Sequence, residues 1–530
     1  MILYDMPDEE LQLEKLDKIA LINYIKKLES GFNQQIKEIE YKYLALKEDY
    51  DLLIYKRFAR SAEQLISEGK QHLLFSCEGT NIKTIKNPEE NDFEEVNSFK
   101  RKKKGRKAID PRIPRVEKVI DIEETEKACA CGAELTKIGE ESNEKLHIIP
   151  PRIYVEKTIR PKYACRSCEG TEDDERSTVR IAPLEPSLIP KSIVSPSLLS
   201  CIIVQKYEDH LPYYRQEKQF QRIMVTISRQ DMSNWQQQAY KRIKPLFELL
   251  EEELKSGPLI QMDETTVQVM GEEERADTQK SYMWLARGGP PDKPVVLYKY
   301  RQTRGAYHAK ELLSGYCGFL QTDGYEGYDA ALKELPGIIH VGCFAHARRK
   351  FFEASKVTTQ AATAEEGMGY IKKLYTIESR LRKKYEKAEE RKTFLRVRQL
   401  CTWSVLKGFK QWLIKQQEEV PPSLLLGKAV AYSLSQWDKL VSYLLSPYVT
   451  PDNNACENAI RPFVLGRKNW LFNKSPEGAE SSCGMYSLIQ TAKLNGLVPS
   501  HYLTALFEKA PLASTSRDWE KLLPWNILKN

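Results

Sequence analysis

Three carboxylates stand out by where they fall. Asp263 lies in the stretch 258–269, PLIQMDETTVQV, an alternating run of strand-forming residues opened by the turn pair Gly257-Pro258. Asp323 ends the short apolar run 318–322 in FLQTDGYEGYD. Glu457 follows the cap signal Pro451-Asp452-Asn453-Asn454 and falls in the first turn of the helix that starts there. Arg461 lies one turn on, and Pro462 ends or kinks that helix. An acid on a buried strand is costly without a partner, and each of the three alone reads as a turn or cap residue. Together they are hard oxygen donors that suit two divalent cations, Mg2+ or Mn2+. Such a pair activates water or a DNA 3′-hydroxyl and stabilises the leaving oxygen of an in-line displacement at phosphorus. Arg461, Arg467 and Lys468 would hold phosphates nearby. The adjacent Glu264 should point to the opposite face of its strand, so Glu264→Gln should be far milder than Asp263→Asn.

A second set is thiolate. Cys129-Ala-Cys131-Gly132 and Cys165-Arg-Ser-Cys168 form two close pairs, with strand-like alternation between them. Two such knuckles can close around one tetrahedral Zn2+, a structural site with no catalytic position. The first pair is CxC, not CxxC, and four free cysteines in a small β-domain would look the same.

The elements that must position the three acids follow in order. Strands are expected at 258–269, 281–286 and 295–300, a helix at 309–314, a strand at 318–322, a helix at 327–334 and a strand at 338–343. Three strands, a helix, a strand, a helix and a strand is the order of the ribonuclease-H-like fold, in which strands one and four are central neighbours. The acids at 263 and 323 would then reach two ions about 4 Å apart. Residues 351–450 carry helical periodicity and leave the sheet pattern, so they read as an all-helical insertion before the core resumes at 451–530.

Upstream, 190–250 reads as helical. Ser195-Pro196 starts a helix, 213–221 gives a second, and Ser228 caps a third, RQDMSNWQQQAYKRI. This resembles a helix-turn-helix, with Arg229, Gln230 and Ser233 outward and Met232 and Trp235 inward. A three-helix bundle without DNA contacts has the same spacing, and Met224-Val225 occupies the turn where Gly is usual. Residues 8–66 read as one helix with a seam at Leu21, Ile25, Leu28, Phe32, Ile36, Ile39, Tyr43, Leu46, Tyr50 and Leu53, interrupted by one stutter. That spacing suits a dimerising coiled coil, and a helix docked on its own domain would share it. A linker at 77–118 carries Lys100-Arg101-Lys102-Lys103-Lys104-Gly105-Arg106-Lys107, seven basic residues in eight. Such an arm, with Lys102, Lys103, Lys104, Arg106 and Lys107 as phosphate contacts, would bind a polyanion in a salt-dependent way. The zinc segment takes 119–180 and the first part of the catalytic core 256–350. The whole is a multidomain α+β chain.

The blocks KRFARSAEQL, CxCG…CxxC, HLPYYRQEKQF, MDET, TDGYEGY, VGCFAHARRKFFE, DNNACENAIRPFVLGRKNWLF and YSLIQTAKLNGL run nearly end to end. In them the chain resembles the large transposase of the insertion sequence 66 family, a DDE transposase. The resemblance implies Asp263, Asp323 and Glu457 as a catalytic triad. It places Cys343 and His346 at a C-x2-H signature after the second acid. On their own chemistry two such ligands are too few for a metal, so they read as packing or hydrogen-bonding beside the site, with Arg348 and Arg349 towards DNA. It also implies terminal inverted repeats and target DNA as substrates, and small accessory proteins of the same element as partners.

Composition sets bounds. No run of 18 apolar residues exists, which argues against a membrane span, and the acidic start MILYDMPDEE has no signal-peptide pattern. Eleven scattered Cys suit a reducing bacterial cytoplasm, with the protein on the nucleoid when bound to DNA. The net charge of +7 is too small to decide partners by itself, so the placement of the basic residues matters more. The functional expectation is metal-dependent cleavage at transposon ends and strand transfer. A nuclease that does not join, and a DNA-binding regulator without catalysis, are the competing readings.

Overall fold

Alternating Ile, Met, Thr and Val side chains make Leu259–Val269 (β3) an eleven-residue strand at the centre of a six-stranded sheet. The computed structural model describes residues 18–58, 153–164, 179–358 and 360–527. The chain divides into two units, Ala62–Pro183, and Met1–Ser61 with Leu184–Asn530. In the first, Lys162–Ala164 (β1) and Val179–Ile181 (β2) pair antiparallel, and Arg160 Nη1 donates to the Ala182 carbonyl at 2.7 Å. The basic arm and the four zinc-segment cysteines lie outside the described residues.

In the second unit, α1 (Lys18–Phe58) precedes α2 (Pro196–Tyr207), α3 (Tyr213–Arg222), α4 (Arg229–Arg242) and α5 (Lys244–Ser256). The sheet adds β4 (Lys280–Gly288), β5 (Val295–Arg301), β6 (Gly318–Gln321) and β7 (Ile338–Val341), with α6 (Ala306–Leu313) and α7 (Glu326–Leu332) between them. Their order across the sheet is β5-β4-β3-β6-β7. The first three are antiparallel, while β6 and β7 run parallel to β3. A two-residue strand, β8 (Phe472–Asn473), joins the far end of β3, and its brevity leaves no periodicity to read.

Helices α8 (Phe344–Val357), α9 (Ala361–Lys384), α10 (Arg391–Glu419), α11 (Leu425–Ser435) and α12 (Trp437–Val441) follow. They build a separate core around Phe351, Phe409, Leu413 and Leu440. Fully buried Arg398 on α10 pairs with Glu378 at 3.3 Å and donates to the Val449 and Tyr443 carbonyls. It thereby fixes the segment that returns to the sheet. The chain then enters α13 (Asn454–Trp470), which continues past Pro462, and α14 (Pro476–Leu494). Ser487 and Thr491 on α14 hydrogen-bond the backbone of Tyr298 and Val296. Helix side chains thus satisfy the outer edge of β5.

Two expectations shift. The helices of 190–250 do not stand apart: Tyr207, Met232, Leu246 and Leu250 share one core with Trp284, Tyr298 and Tyr486. Gln236 of α4 donates to Ser481 of α14 at 2.7 Å, which ties the would-be recognition helix to the sheet layer. In the second case, α1 is both exposed and docked. Leu52 is only 8% exposed, Glu48 accepts from the Leu425 amide at 2.8 Å, and Lys56 pairs with Glu353. The seam from Ile25 to Leu53 faces outward, with Leu46 71% exposed.

Candidate active site

Gln261 pairs with Gln321 across β3 and β6, sixty positions apart, as are Asp263 and Asp323. Continued past the end of β6, the same offset puts Asp323 at the level of Asp263 on β3. Beneath them Gln261 Nε2 donates to Gln321 Oε1 at 2.8 Å. Gln321 donates in turn to the Thr450 carbonyl at 2.7 Å, pinning the return from the insertion at the sheet centre.

Asp323 sits in a tight turn. Gly324 has φ +90, and a Cβ there would meet the Tyr432 hydroxyl at 3.0 Å, so only glycine fits without strain. The Tyr325 amide donates to Asp323 Oδ1 at 3.0 Å, and Tyr432 of the insertion donates to the Asp323 carbonyl at 2.8 Å. Thr322 is hydrogen-bonded to His340 Nε2 at 2.8 Å, and His340 Nδ1 to Asp329 at 2.9 Å. Lys439 of α12 pairs with the other Asp329 oxygen at 2.6 Å.

Glu457 arrives by a different route. The buried Asn453 side chain donates to the Met262 carbonyl at 3.0 Å, one residue before Asp263, and the Asn453 amide donates to Cys343 Sγ at 3.2 Å. The start of α13 is thus fastened to β3 and to the start of α8. Facing Glu457 are His346 at 3.8 Å and Arg349 at 3.7 Å.

The electrostatics follow from this crowding. Burial and the charges of Glu264, Asp323 and Glu457 push the Asp263 carboxyl up to about 7. Glu457 Oε1 is buried and accepts no hydrogen bond among the described residues. A cluster of acids whose charges raise Asp263, with an orphaned carboxylate oxygen on Glu457, fits hard divalent cations. Cys343, His346 and Glu457 also bring one ligand atom each within 4.8 Å of one another. Burial pushes the Cys343 thiol up to about 12 in the chain without a cation, where its sulfur accepts the Asn453 N–H.

The Asp263 shift has a pH signature. The folded chain without added cation keeps a proton that the unfolded chain releases near pH 4. This stabilising contribution is complete at low pH and is lost as pH rises towards 7. Asp263→Asn should therefore melt higher than the parent at pH 8, by on the order of 5 °C, and no higher at pH 4. Calorimetry at the two pH values checks this, and a gap that ignores pH contradicts the charge-cluster account.

Glu264 has partners of its own. It does lie on the other face: its pair partner Trp284 packs against Tyr328 of α7, and Tyr328 donates to the Glu264 carboxylate. Yet it is not detached from the site. Glu264 is buried and grips Arg304, whose Nη2 lies 3.7 Å from Asp323 Oδ2. Glu264→Gln is expected to slow the chemistry roughly tenfold without abolishing it, since one charge-assisted bond is worth about 1.5–3 kcal/mol. A rate within twofold of the parent would show that Arg304 needs no anchor.

The remaining candidates fall unevenly. Arg229 and Gln230 are exposed at the start of α4, where Ser228 and Asp231 form a capping box. Met232 and Trp235 are buried. Met224 takes φ +60 in the preceding turn and is 95% exposed, adopting the backbone a glycine would favour. Arg461, Lys468 and Arg349 are exposed, and Arg348 is half-buried. Arg461 forms no ion pair with Glu457 among the described residues. Arg467 is committed elsewhere, its Nη1 bonded to Thr265 and Thr266 of β3. Arg304, Asn453 and Tyr432 were not candidates on sequence grounds, because their roles exist only through long-range contacts.

Residues 191–481, more than half of the chain, match the model described as Transposase IS66 family. The chain belongs to the IS66 transposase family. Residues 126–169, which contain all four paired cysteines, match the zinc-finger binding domain of transposase IS66. Residues 487–525 match the IS66 C-terminal element. Among curated proteins, the uncharacterized protein y4jD of Sinorhizobium fredii (strain NBRC 101917 / NGR234) is 32% identical over 425 residues, 78% of this chain and 80% of the relative. The similarly described y4hP of the same strain is 30% identical over 448 residues, 81% and 78% respectively. Family membership makes this a transposase-type enzyme and implies DNA binding, while its zinc-finger and transposase domains point to Zn2+ and a divalent cation. No described helix is long and apolar enough to cross a membrane.

Proposed function

We propose that this IS66 family member cleaves DNA at the ends of its element and joins the freed 3′-hydroxyl to target DNA. In this reading 256–350 and 451–530 form a ribonuclease-H-like core, interrupted by the helical insertion 351–450. The observation that carries it is the grouping of Asp263 on β3, Asp323 two residues past the end of the parallel neighbour β6, and Glu457 on a helix fastened to β3 by Asn453, with the charges of Asp323 and Glu457 both acting on Asp263.

Asp263, Asp323 and Glu457 would hold two Mg2+ or Mn2+ ions. When bound, these supply an activated water or 3′-hydroxyl and stabilise the leaving oxygen. The chain's own part is placement. Asn453 and the Gly324 turn set the carboxylates before substrate arrives, so little reorganisation is left for the reaction. Arg349, Arg461 and Lys468, all exposed, hold DNA phosphates. Cys129, Cys131, Cys165 and Cys168 hold the structural Zn2+, the basic arm at 100–107 tracks phosphates, and the exposed seam of α1 pairs two copies so that two ends meet.

The test is the full chain with labelled element ends and Mg2+ or Mn2+. Joined products support the proposal. Cleavage without joining leaves a nuclease, and binding alone, unchanged by Asp263→Asn, leaves a regulator.

A further inference from the structure

Arg304 is placed more elaborately than a surface arginine or a plain counter-ion requires. It lies between β5 and α6, and its side chain reaches Glu264 on the central strand β3 and the turn that holds Asp323. Three contacts fix it. Nε and Nη2 bond the buried Glu264 carboxylate, the guanidinium carbon stacks 3.8 Å from the Tyr325 ring centroid, and the Tyr325 hydroxyl donates back to the Arg304 carbonyl at 3.0 Å. Tyr325 in turn donates its amide to Asp323, so the ring that holds Arg304 belongs to the turn that holds the acid. Neutralising Glu264 uses only one edge of the guanidinium, and Tyr328 already donates to the same carboxylate. Nη1 makes no hydrogen bond among the described residues, Nη2 lies 3.7 Å from Asp323, and the side chain is 36% exposed.

A planar cation clamped on one edge and open on the other is pre-organised for an oxyanion, because little side-chain entropy remains to be lost on binding. The open edge lies beside a carboxylate that the proposed function gives to a divalent cation, and a DNA phosphate at that cation comes within its reach. We propose that Arg304 is a phosphate-binding catalytic residue, donating its free guanidinium edge to a non-bridging oxygen of the DNA phosphate that is cut. Before DNA and cation arrive, the same edge neutralises Asp323. Glu264, Tyr325 and Tyr328 are the positioning residues that keep it there. The inference rests on the functional reading above and adds a residue to it.

The experiment uses the full chain, Mg2+ and an element end carrying either the natural scissile phosphate or a methylphosphonate, which lacks one charged oxygen. Single-turnover cleavage is measured beside DNA affinity. Arg304→Gln is expected to slow cleavage of natural DNA about 100-fold with DNA affinity changed less than about threefold, and Arg304→Lys to recover at most about tenfold of the loss. On the methylphosphonate the Arg304→Gln penalty should shrink to about threefold or less. The double variant Glu264→Gln/Arg304→Gln removes the buried Glu264 charge together with its partner and should show the same catalytic loss with a parent-like melt. Cleavage by Arg304→Gln within about threefold of the parent overturns the proposal, as does an equal penalty on both substrates. A parent chain that cuts neither substrate instead removes the functional reading, and this inference with it.

Discussion

Asp263→Asn is expected to lower DNA cleavage by at least about 10³-fold while DNA affinity stays within about threefold. Losing a metal ligand removes several kcal/mol of transition-state stabilisation, and each 1.4 kcal/mol is about tenfold in rate. The affinity comes from basic groups elsewhere, such as Arg349, Arg461 and Lys468, which the substitution does not touch. Asp323→Asn and Glu457→Gln should match it, because all three acids belong to one charge cluster whose members raise Asp263 together. Cleavage of a labelled element end, with a binding isotherm on the same preparation, measures both quantities. Retained cleavage in any one variant removes that residue from the site.

The second large effect concerns α1. Ile36 and Leu46 lie on the outward seam, while Leu52, Glu48 and Lys56 hold the same helix to α8 and α11. Ile36→Glu/Leu46→Glu places two charges in the proposed pairing seam and leaves the docked face intact. It is expected to turn a dimer into a monomer by sedimentation and to cut two-ended joined products about 100-fold, with single-end binding preserved. Leu52→Ala is the converse: it should weaken docking by about 2–3 kcal/mol and keep the dimer. A seam variant that still sediments as a dimer would assign pairing to another surface.

What could be read in advance follows from the range of the interactions. The sheet strands were legible because alternation is local, and the element order suggested the neighbours that the β3–β6 register then displays. The three acids could be proposed as a set because their local patterns are recognisable, Asp263 within an alternating strand run, Asp323 after a short apolar run and Glu457 at a helix start. Arg304 was not: its sequence context, QTRGAY, reads as a turn, and its meaning comes from Glu264, forty positions away. Asn453 read correctly as a helix cap, but its bond to Met262 spans 191 positions. Arg467 was a phosphate candidate by charge alone, and only the packing of α13 on β3 commits it to Thr265 and Thr266. The coiled-coil pattern and the docked-helix pattern coexist on α1 because one face docks through Leu52, Glu48 and Lys56 while the seam residues face outward.

The central claim is that Asp263, Asp323 and Glu457 ligate catalytic cations, and a sulfur substitution tests it most directly. Asp323→Cys exchanges a hard oxygen for a soft thiolate, which disfavours Mg2+ and is tolerated better by Mn2+. The account predicts that strand transfer by Asp323→Cys is lost in Mg2+, by about 10³-fold or more, and returns at least about tenfold in Mn2+, while the parent works in either. Full activity of Asp323→Cys in Mg2+, or a folded, DNA-binding Asp323→Cys that Mn2+ leaves as inactive as Mg2+ does, would contradict it.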